Sequence, residues 1–566
     1  MQETDSTHAQ SDTESPRSGG IFRRFLFLWL ALVALLLLAI VPPLITVNRL
    51  QRRIATSISQ SLGRPVHLDQ VTLNLLPLPG FTLDNLVVNE DPAFGSEPII
   101  RANSVRVTLR ISSLWTRRVE FSTISFTDPS VNLVHLPNGK WNLESILLQA
   151  SHIEAAPTAQ KKAGPTPRFP YIEATGARLN IKLGQEKIPL SFTDAEFALW
   201  LPSPEQWHLR LKADPARTDT VVSGAGTIQM EGTLGRAASL SQVPIRLQGE
   251  WRDAPLGGAS RVLFGRDAGW RGSMTLVANI QGTVGHSSVE TRFSANDARR
   301  ADFIPKQPLN IELECLGTAT NLFHSYDKVR CSWPPSNSSG TQVLMLSGSL
   351  PDVHNLNSAT VDISIPGIPA DTFLDWLHVV NERLPEDVSM GGTLTGSISH
   401  HPEALPGAPA WQGAIFVTGA KLMSAHADAP SLVSGNIALR SVQEPEVKMH
   451  SRAHHVAPAA TTGSSFVLAP TLMALGGKEP ATLEGHFDAT GYTLHLTGMA
   501  SPSRLLALGT ALPELGDGLT AVLPPSHAAT PTFVDLTAVR PWSGVQVWTS
   551  GLAHPAAHHS RHATHR

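Results

Sequence analysis

From Phe25 to Val47 the chain is apolar for 23 residues, broken only by Pro42, Pro43 and Thr46. About 20 such residues cross a bilayer, so this run can span one. A cleaved signal peptide has a shorter apolar core, about 7 to 15 residues, ending in small residues at its cleavage site. Thr46-Val47-Asn48-Arg49 offers no such site, and the expectation is a retained anchor. Arg17, Arg23 and Arg24 precede the run while Arg49, Arg52 and Arg53 follow it, so the positive-inside count is tied. A short polar N-terminus, one span and a long body fit a cytoplasmic N-terminus and a translocated body.

Directly after the run, Leu50, Ile54, Ile58 and Leu62 recur every fourth residue, and Gly63 supplies a stop. That period puts them on one face of a short amphipathic helix. The helix either lies on the membrane surface or covers the end of a sheet. Beyond Pro65 the period falls to two. Val71, Leu73 and Leu75 alternate with Thr72 and Asn74, and Val105, Val107, Leu109 and Ile111 alternate with Arg106, Thr108 and Arg110. These are strands with one apolar face. Pro79-Gly80, Asp91-Pro92, Asp128-Pro129 and Asn138-Gly139 punctuate them at hairpin intervals, which predicts a meander over 66–148.

The rest follows the same grammar. Ala155 to Pro170 has no apolar period and reads as a linker or long loop. Alternation resumes at Ala177–Leu183, turns at Gly184 and returns over Ile188–Phe192. A motif of apolar, any, glycine, any, apolar then recurs at Met230–Leu234, Ile280–Val284, Leu346–Leu350, Leu394–Ile398 and Leu483–Phe487. Glycine inside a strand marks a bend, a bulge or a close approach; the plainer reading is that β-proteins are rich in glycine. One helix is expected at Ala370 to Arg383, where Phe373, Leu374, Leu377 and Val380 share a face. The expected divisions are a disordered cytoplasmic tail (1–24), the anchor (25–47), a helix with β-meander (48–150), the linker (151–170), a β-rich body (171–550) and a disordered His-rich tail (551–566).

Composition narrows the chemistry. With 43 Gly and 43 Pro against 16% charged residues, turns are frequent and a helix-rich body is excluded. A net charge of −3 removes the basic surface a nucleic-acid binder needs. Cys315 and Cys331 are the only cysteines; with no histidine at finger spacing they make no zinc site, and they are either a disulfide across neighbouring strands or two buried thiols. The sequence holds no phosphate-binding loop, dinucleotide fingerprint, His-Glu-x-x-His or Gly-x-Ser-x-Gly, so no enzyme activity, cofactor or metal is expected. The histidines at 554, 558, 559, 562 and 565 lack a scaffold. Gly265–Gly272 is dense in glycine and charge, and reads as a hairpin loop or an anion-binding nest.

The anchor, Leu62-Gly63-Arg64-Pro65-Val66, Val71–Pro77, Gly80–Val88, Asp128–Leu133 and Asn138–Leu143 stand in an order and spacing that resembles the N-terminal region of AsmA-family proteins. The resemblance covers about residues 21 to 148, weakens over 171–235 and is faint near Val534–Leu536 and Trp542–Trp548. It implies an inner-membrane anchor, a periplasmic body and a mainly β fold. In that fold an elongated, curved antiparallel sheet forms an apolar groove, as in chorein-type bridge proteins. It further implies phospholipid transport toward the outer membrane and a part in envelope assembly, with the inner membrane, phospholipid and other envelope proteins as partners. On that reading Val71, Leu73, Leu75, Val105, Val107 and Leu109 line the groove. A closed β-sandwich predicts the same alternation, and an envelope scaffold without lipid cargo is the competing function.

Overall fold

A computed structural model describes residues 25–33, 51–52, 54–56, 58–59, 64–74, 78–110, 121–136, 140–144, 170–184, 186–203, 205–336, 342–353, 355–381, 384, 386–402, 410–424, 431–442, 464–488, 490–511, 530–541 and 554–555. The protein is mainly β, a long and largely antiparallel sheet. Its residues divide into two units, Met1–Asn132 with Gln160–Ala177, and Leu133–Ala159 with Arg178–Arg566.

In the first unit β1 (Val66–His67) and β2 (Gln70–Asn74) both pair with β3 (Gly80–Val88), which pairs in turn with β4 (Ile100–Leu109). β5 (Phe121–Thr127) and the start of β6 (Ser130–His135) share β4 as their antiparallel neighbour, and β5 pairs in parallel with the first residues of β7 (Tyr171–Leu183). The simple meander expected here is therefore corrected. Asp128 takes a positive φ of 48°, and past this break β6 runs on in the same direction along the same partner strand. The parallel neighbour of β5 arrives from beyond residue 160.

Residues 51–52, 54–56 and 58–59 are helical, with Ile54 and Ile58 half-buried. The Gln51 side chain donates to the Leu68 carbonyl at 2.6 Å, which fastens this helix to the strands. Leu50, Leu62 and Gly63 lie outside the described residues. Phe25–Val33 is helical with exposed side chains, while the rest of the expected anchor and Leu75 lie outside the described residues. No described helix is long and apolar enough to cross a membrane.

The second unit adds strands in chain order. β8 (Glu186–Ser203), β9 (Gln206–Arg217), β10 (Thr227–Gly235), β11 (Pro244–Pro255), β12 (Trp270–Thr283), β13 (His286–Arg300), β14 (Leu309–Thr320) and β15 (Ser325–Trp333) each pair antiparallel with the next. β16 (Leu344–Leu350), β17 (Thr360–Pro369), β18 (Ser389–His400), β19 (Trp411–Met423), β20 (Val433–Val442), β21 (Ser465–Met473), β22 (Ala481–Phe487), β23 (Gly491–Ala500) and β24 (Thr532–Pro541) continue the series. Of residues 551–566, His554–Pro555 are described, as a short β25 against Leu536 and Thr537.

Among the described residues three helices interrupt the series, where one was expected. α1 (Leu256–Phe264) follows Pro255, α2 (Ala370–Val380) follows Pro369, and α3 (Pro502–Ala511) carries its proline at the first position. Proline suits a helix start, where its missing N–H is not needed. α1 stops at Gly265, whose φ of 74° is the left-handed cap geometry. α2 ends at Val380, three residues short of expectation. Its buried face is Leu374, His378 and Val379, and Val380 is exposed.

Each helix joins two neighbouring antiparallel strands and sits six strands after the last. At α1 and α2 the paired strands slip register, between Trp251 and Ala254 and between Ile365 and Ile368. The strand leaving each of these two helices carries a glycine of like conformation, Gly272 with φ 109° and Gly392 with φ 113°. A Cβ there would run into the neighbouring strand's carbonyl oxygens, those of Asn296 and Thr418. The helices bury apolar residues against one face of the sheet. Leu374, Leu505 and Leu508 join strand residues such as Leu394, Val417 and Leu496 in one core, while Leu256, Ala259 and Val379 join Met274, Ala295 and Leu309 in another.

Candidate functional site

In an antiparallel sheet residues directly opposite each other point to the same face, so register traces a surface. Starting at Phe197, successive partners are Leu211, Met230, Gly249, Ala278, Thr291, Cys315, Cys331, Leu346, Ile363, Ile398 and Gly413. The row crosses β8 to β19, and apart from Thr291 every member is apolar, glycine or disulfide sulfur. All its members are half-buried. The adjoining row toward the helices reads Trp251, Leu276, Phe293 and Leu313; the row on the other side reads Leu209, Gly232, Leu247, Ile280 and Val289.

The opposite face of the same strands is polar. One residue along from the apolar row, the partners are Arg210, Glu231, Gln248, Asn279, Glu290, Leu316, Arg330, Ser347, Asp362 and Ser399. Leu316 is the exception. A sheet wet on one side and apolar on the other needs a cover for the apolar side. The helices supply one only near the strand ends that they join.

Of the groove residues expected from sequence, Val71 pairs with Leu83, Leu83 with Val105 and Val105 with Phe126, while Leu73, Phe81, Val107 and Ile124 form the next row. Val71, Leu73, Val105 and Val107 share one face. Their exposure is graded: Val71 (0%), Val105 (1%) and Val107 (6%) are core, whereas Leu73 and Leu109 are half-buried. Leu109 pairs with Phe121.

Sequence reasoning passed over the longer apolar row of the second unit. The signal was present in the glycine motif, since Met230, Leu346 and Ile398 are its apolar members and lie in that row. Its glycines are tightly approached: a Cβ on Gly232 or Gly348 would overlap the Arg246 or Thr360 carbonyl oxygen of the next strand.

Cys315 and Cys331 face each other across β14 and β15 and are joined by a disulfide, with Cα atoms 4.0 Å apart. Gly265–Gly272 is the connection from α1 into β12, and its would-be anion position holds the chain's own carboxylate. Asp267 accepts from the Gly269 N–H (2.8 Å), from Arg261 (2.8 Å) and from Arg271 (3.2 Å). Burial pushes the Asp267 carboxyl up, but these donors together hold it below the usual carboxylate range. In α2 burial raises the Asp375 carboxyl, against the pull of His378. Among the described residues no group of three or more His, Cys, Asp or Glu side chains is placed to hold a metal ion.

The family model described as the AsmA family matches residues 22–173. No curated protein and no solved structure matches the chain. The match begins just before the apolar run and ends in β7, so the first unit's strands and buried apolar rows lie within it. The chain thus carries an AsmA family domain over residues 22–173.

Proposed function

We propose that the protein is anchored in the inner membrane, with a cytoplasmic N-terminus and a periplasmic body. There it holds or conducts phospholipid along the apolar face of its sheet toward the outer membrane and supports envelope assembly. The observation that carries this reading is the half-buried apolar row from Leu211 to Ile398, backed by a polar row on the other face. The facing sheets of a sandwich bury such residues, whereas an acyl surface needs them reachable. Contiguous apolar area that stays partly accessible in this way fits an interaction surface. Leu73 and Leu109, half-buried, are the members of the first unit's face that meet lipid in this reading.

The exposed apolar side chains of Phe25–Val33 suit a lipid surround, and the disulfide suits an oxidising compartment. A scaffold that binds envelope proteins is the second reading, favoured by Phe264, Ile304 and Val380, which are exposed among the helices and loops at the strand ends. The deciding experiment extracts the full chain in mild detergent and measures co-purified phospholipid by mass spectrometry. Stoichiometric phospholipid supports the lipid reading; protein free of lipid but carrying a protein partner overturns it in favour of the scaffold.

A further inference from the structure

We infer that the apolar face contains a furrow, floored by Gly249, Ala278 and Thr291, that seats a single straight alkyl chain running across the strands. The inference rests on the lipid reading and deepens it. These three residues are consecutive partners on β11, β12 and β13, and they are smaller than the Met230 and the disulfide that flank them in the row. The hollow is open, since a Cβ added at Gly249 meets no atom within 4 Å.

Two walls flank the floor. Trp251, Leu276 and Phe293 stand on the helix side, and Leu247, Ile280 and Val289 on the other. The helix-side wall is braced from behind. Trp251, Leu276 and Phe293 all pack against the core that α1 fills, and the Trp251 Nε1–H donates to the Ala225 carbonyl at 2.8 Å. The wall rows are four residues apart along each strand, about 13 Å between backbones. That span, less what the side chains of both rows take up, is what the proposed chain would occupy. Met230 closes one end and the Cys315–Cys331 disulfide the other. Four strand spacings separate those ends, about 19 Å.

The chemistry of the floor selects the occupant. β11, β12 and β13 are hydrogen-bonded to strands on both sides, so they have no ladder left to offer. A polypeptide laid in the furrow would leave its own N–H and C=O groups against apolar walls, at a cost of several kcal/mol for each buried group. An alkyl chain has no such groups. Its source is either a free fatty acid or the acyl chain of a phospholipid, which share this chemistry.

The test uses Trp251 as the reporter, because bromine on an alkyl chain quenches a neighbouring indole. Full-length protein in detergent is titrated with dibromostearic acid and, separately, with a phosphatidylcholine carrying dibromostearoyl chains. The difference between wild type and Trp251→Phe isolates the Trp251 signal. The expected result is saturable quenching of Trp251 that weakens in affinity by about tenfold or more in Gly249→Leu, which fills the hollow. Gly249→Ala adds one methyl to open space and keeps the fold, and a smaller loss is expected there. Quenching by the free acid alone retains the furrow and assigns it to fatty acid; quenching by both probes, or by the phospholipid alone, assigns it to a phospholipid chain. Unchanged quenching in both Gly249 variants, or quenching of other tryptophans but not Trp251, overturns the furrow and leaves the lipid reading standing. Absence of all quenching together with absence of co-purified lipid sinks both.

Discussion

The Arg64 guanidinium lies 3.6 Å from the Glu90 carboxylate, with the two side chains only 7% and 2% exposed. Arg64 also reaches the partly exposed Asp91 at 3.1 Å, while the Asn89 N–H donates to the Pro65 carbonyl at 2.9 Å. The chain entering the sheet is thereby clamped to the far end of β3. Removing one member of a buried pair costs about 3 to 5 kcal/mol. Arg64→Ala is expected to lower the unfolding free energy by that order, measured by denaturant titration. A double variant Arg64→Met/Glu90→Leu should recover most of the loss, and a double variant no better than the single one would show that the ion pair is not what clamps the strand.

Val71 and Leu73 were indistinguishable in sequence, two apolar residues of one alternating strand, yet only Val71 is sealed from solvent. Val71→Asp buries a charge without a partner and should cost several kcal/mol. Leu73→Asp should be tolerated better, because its site is reachable by water. Protease resistance and cellular abundance of the two variants check this, and equal depletion would place Leu73 in the core as well.

The contrast shows where sequence reasoning reached its limit. Alternation is local, so the strands around Val71, Val105 and Ala177 could be read directly, and the spacing of Leu374 and Leu377 announced α2. Register is not local. Nothing in the sequence aligns Gly249 with Ala278 or Cys315 with Cys331 until the strands are paired. α1 was hidden by its Gly257-Gly258 pair and its brevity, and α3 by the Pro502 that opens it. The parallel partner of β5 was hidden because more than forty residues separate Thr123 from Tyr171.

The disulfide offers a clean measurement. Free-thiol labelling of denatured, unreduced protein is expected to find neither Cys315 nor Cys331. Replacing both with serine should reduce stability by up to about 3 kcal/mol on the chain-entropy estimate. Full labelling of both thiols in protein isolated from cells would mean that the bridge does not form there, and would count against a periplasmic body.

Acid should loosen the turn between α1 and β12. The Asp267 carboxyl is held below its ordinary value of 3.8 by its hydrogen-bond donors. Its contribution is therefore present above the unfolded value and is lost as pH falls through the lower, folded one. The three side chains are about a quarter to two-fifths exposed, which limits the effect to about 1 kcal/mol. Asp267→Asn should be less stable than wild type at neutral pH, with the gap closing below about pH 4. A gap independent of pH would mean that the charge is irrelevant.

The three helices recur at intervals of six strands, an even number. After an even number of antiparallel strands the chain is back on the edge it left and heading the same way. The length of the sheet is therefore quantised. Six strands and their helix could be copied or excised without inverting any later strand, leaving the oily side continuous and the next helix on its own edge. The reach of such a protein can change by modules of about 29 Å, as a ladder is lengthened by whole sections.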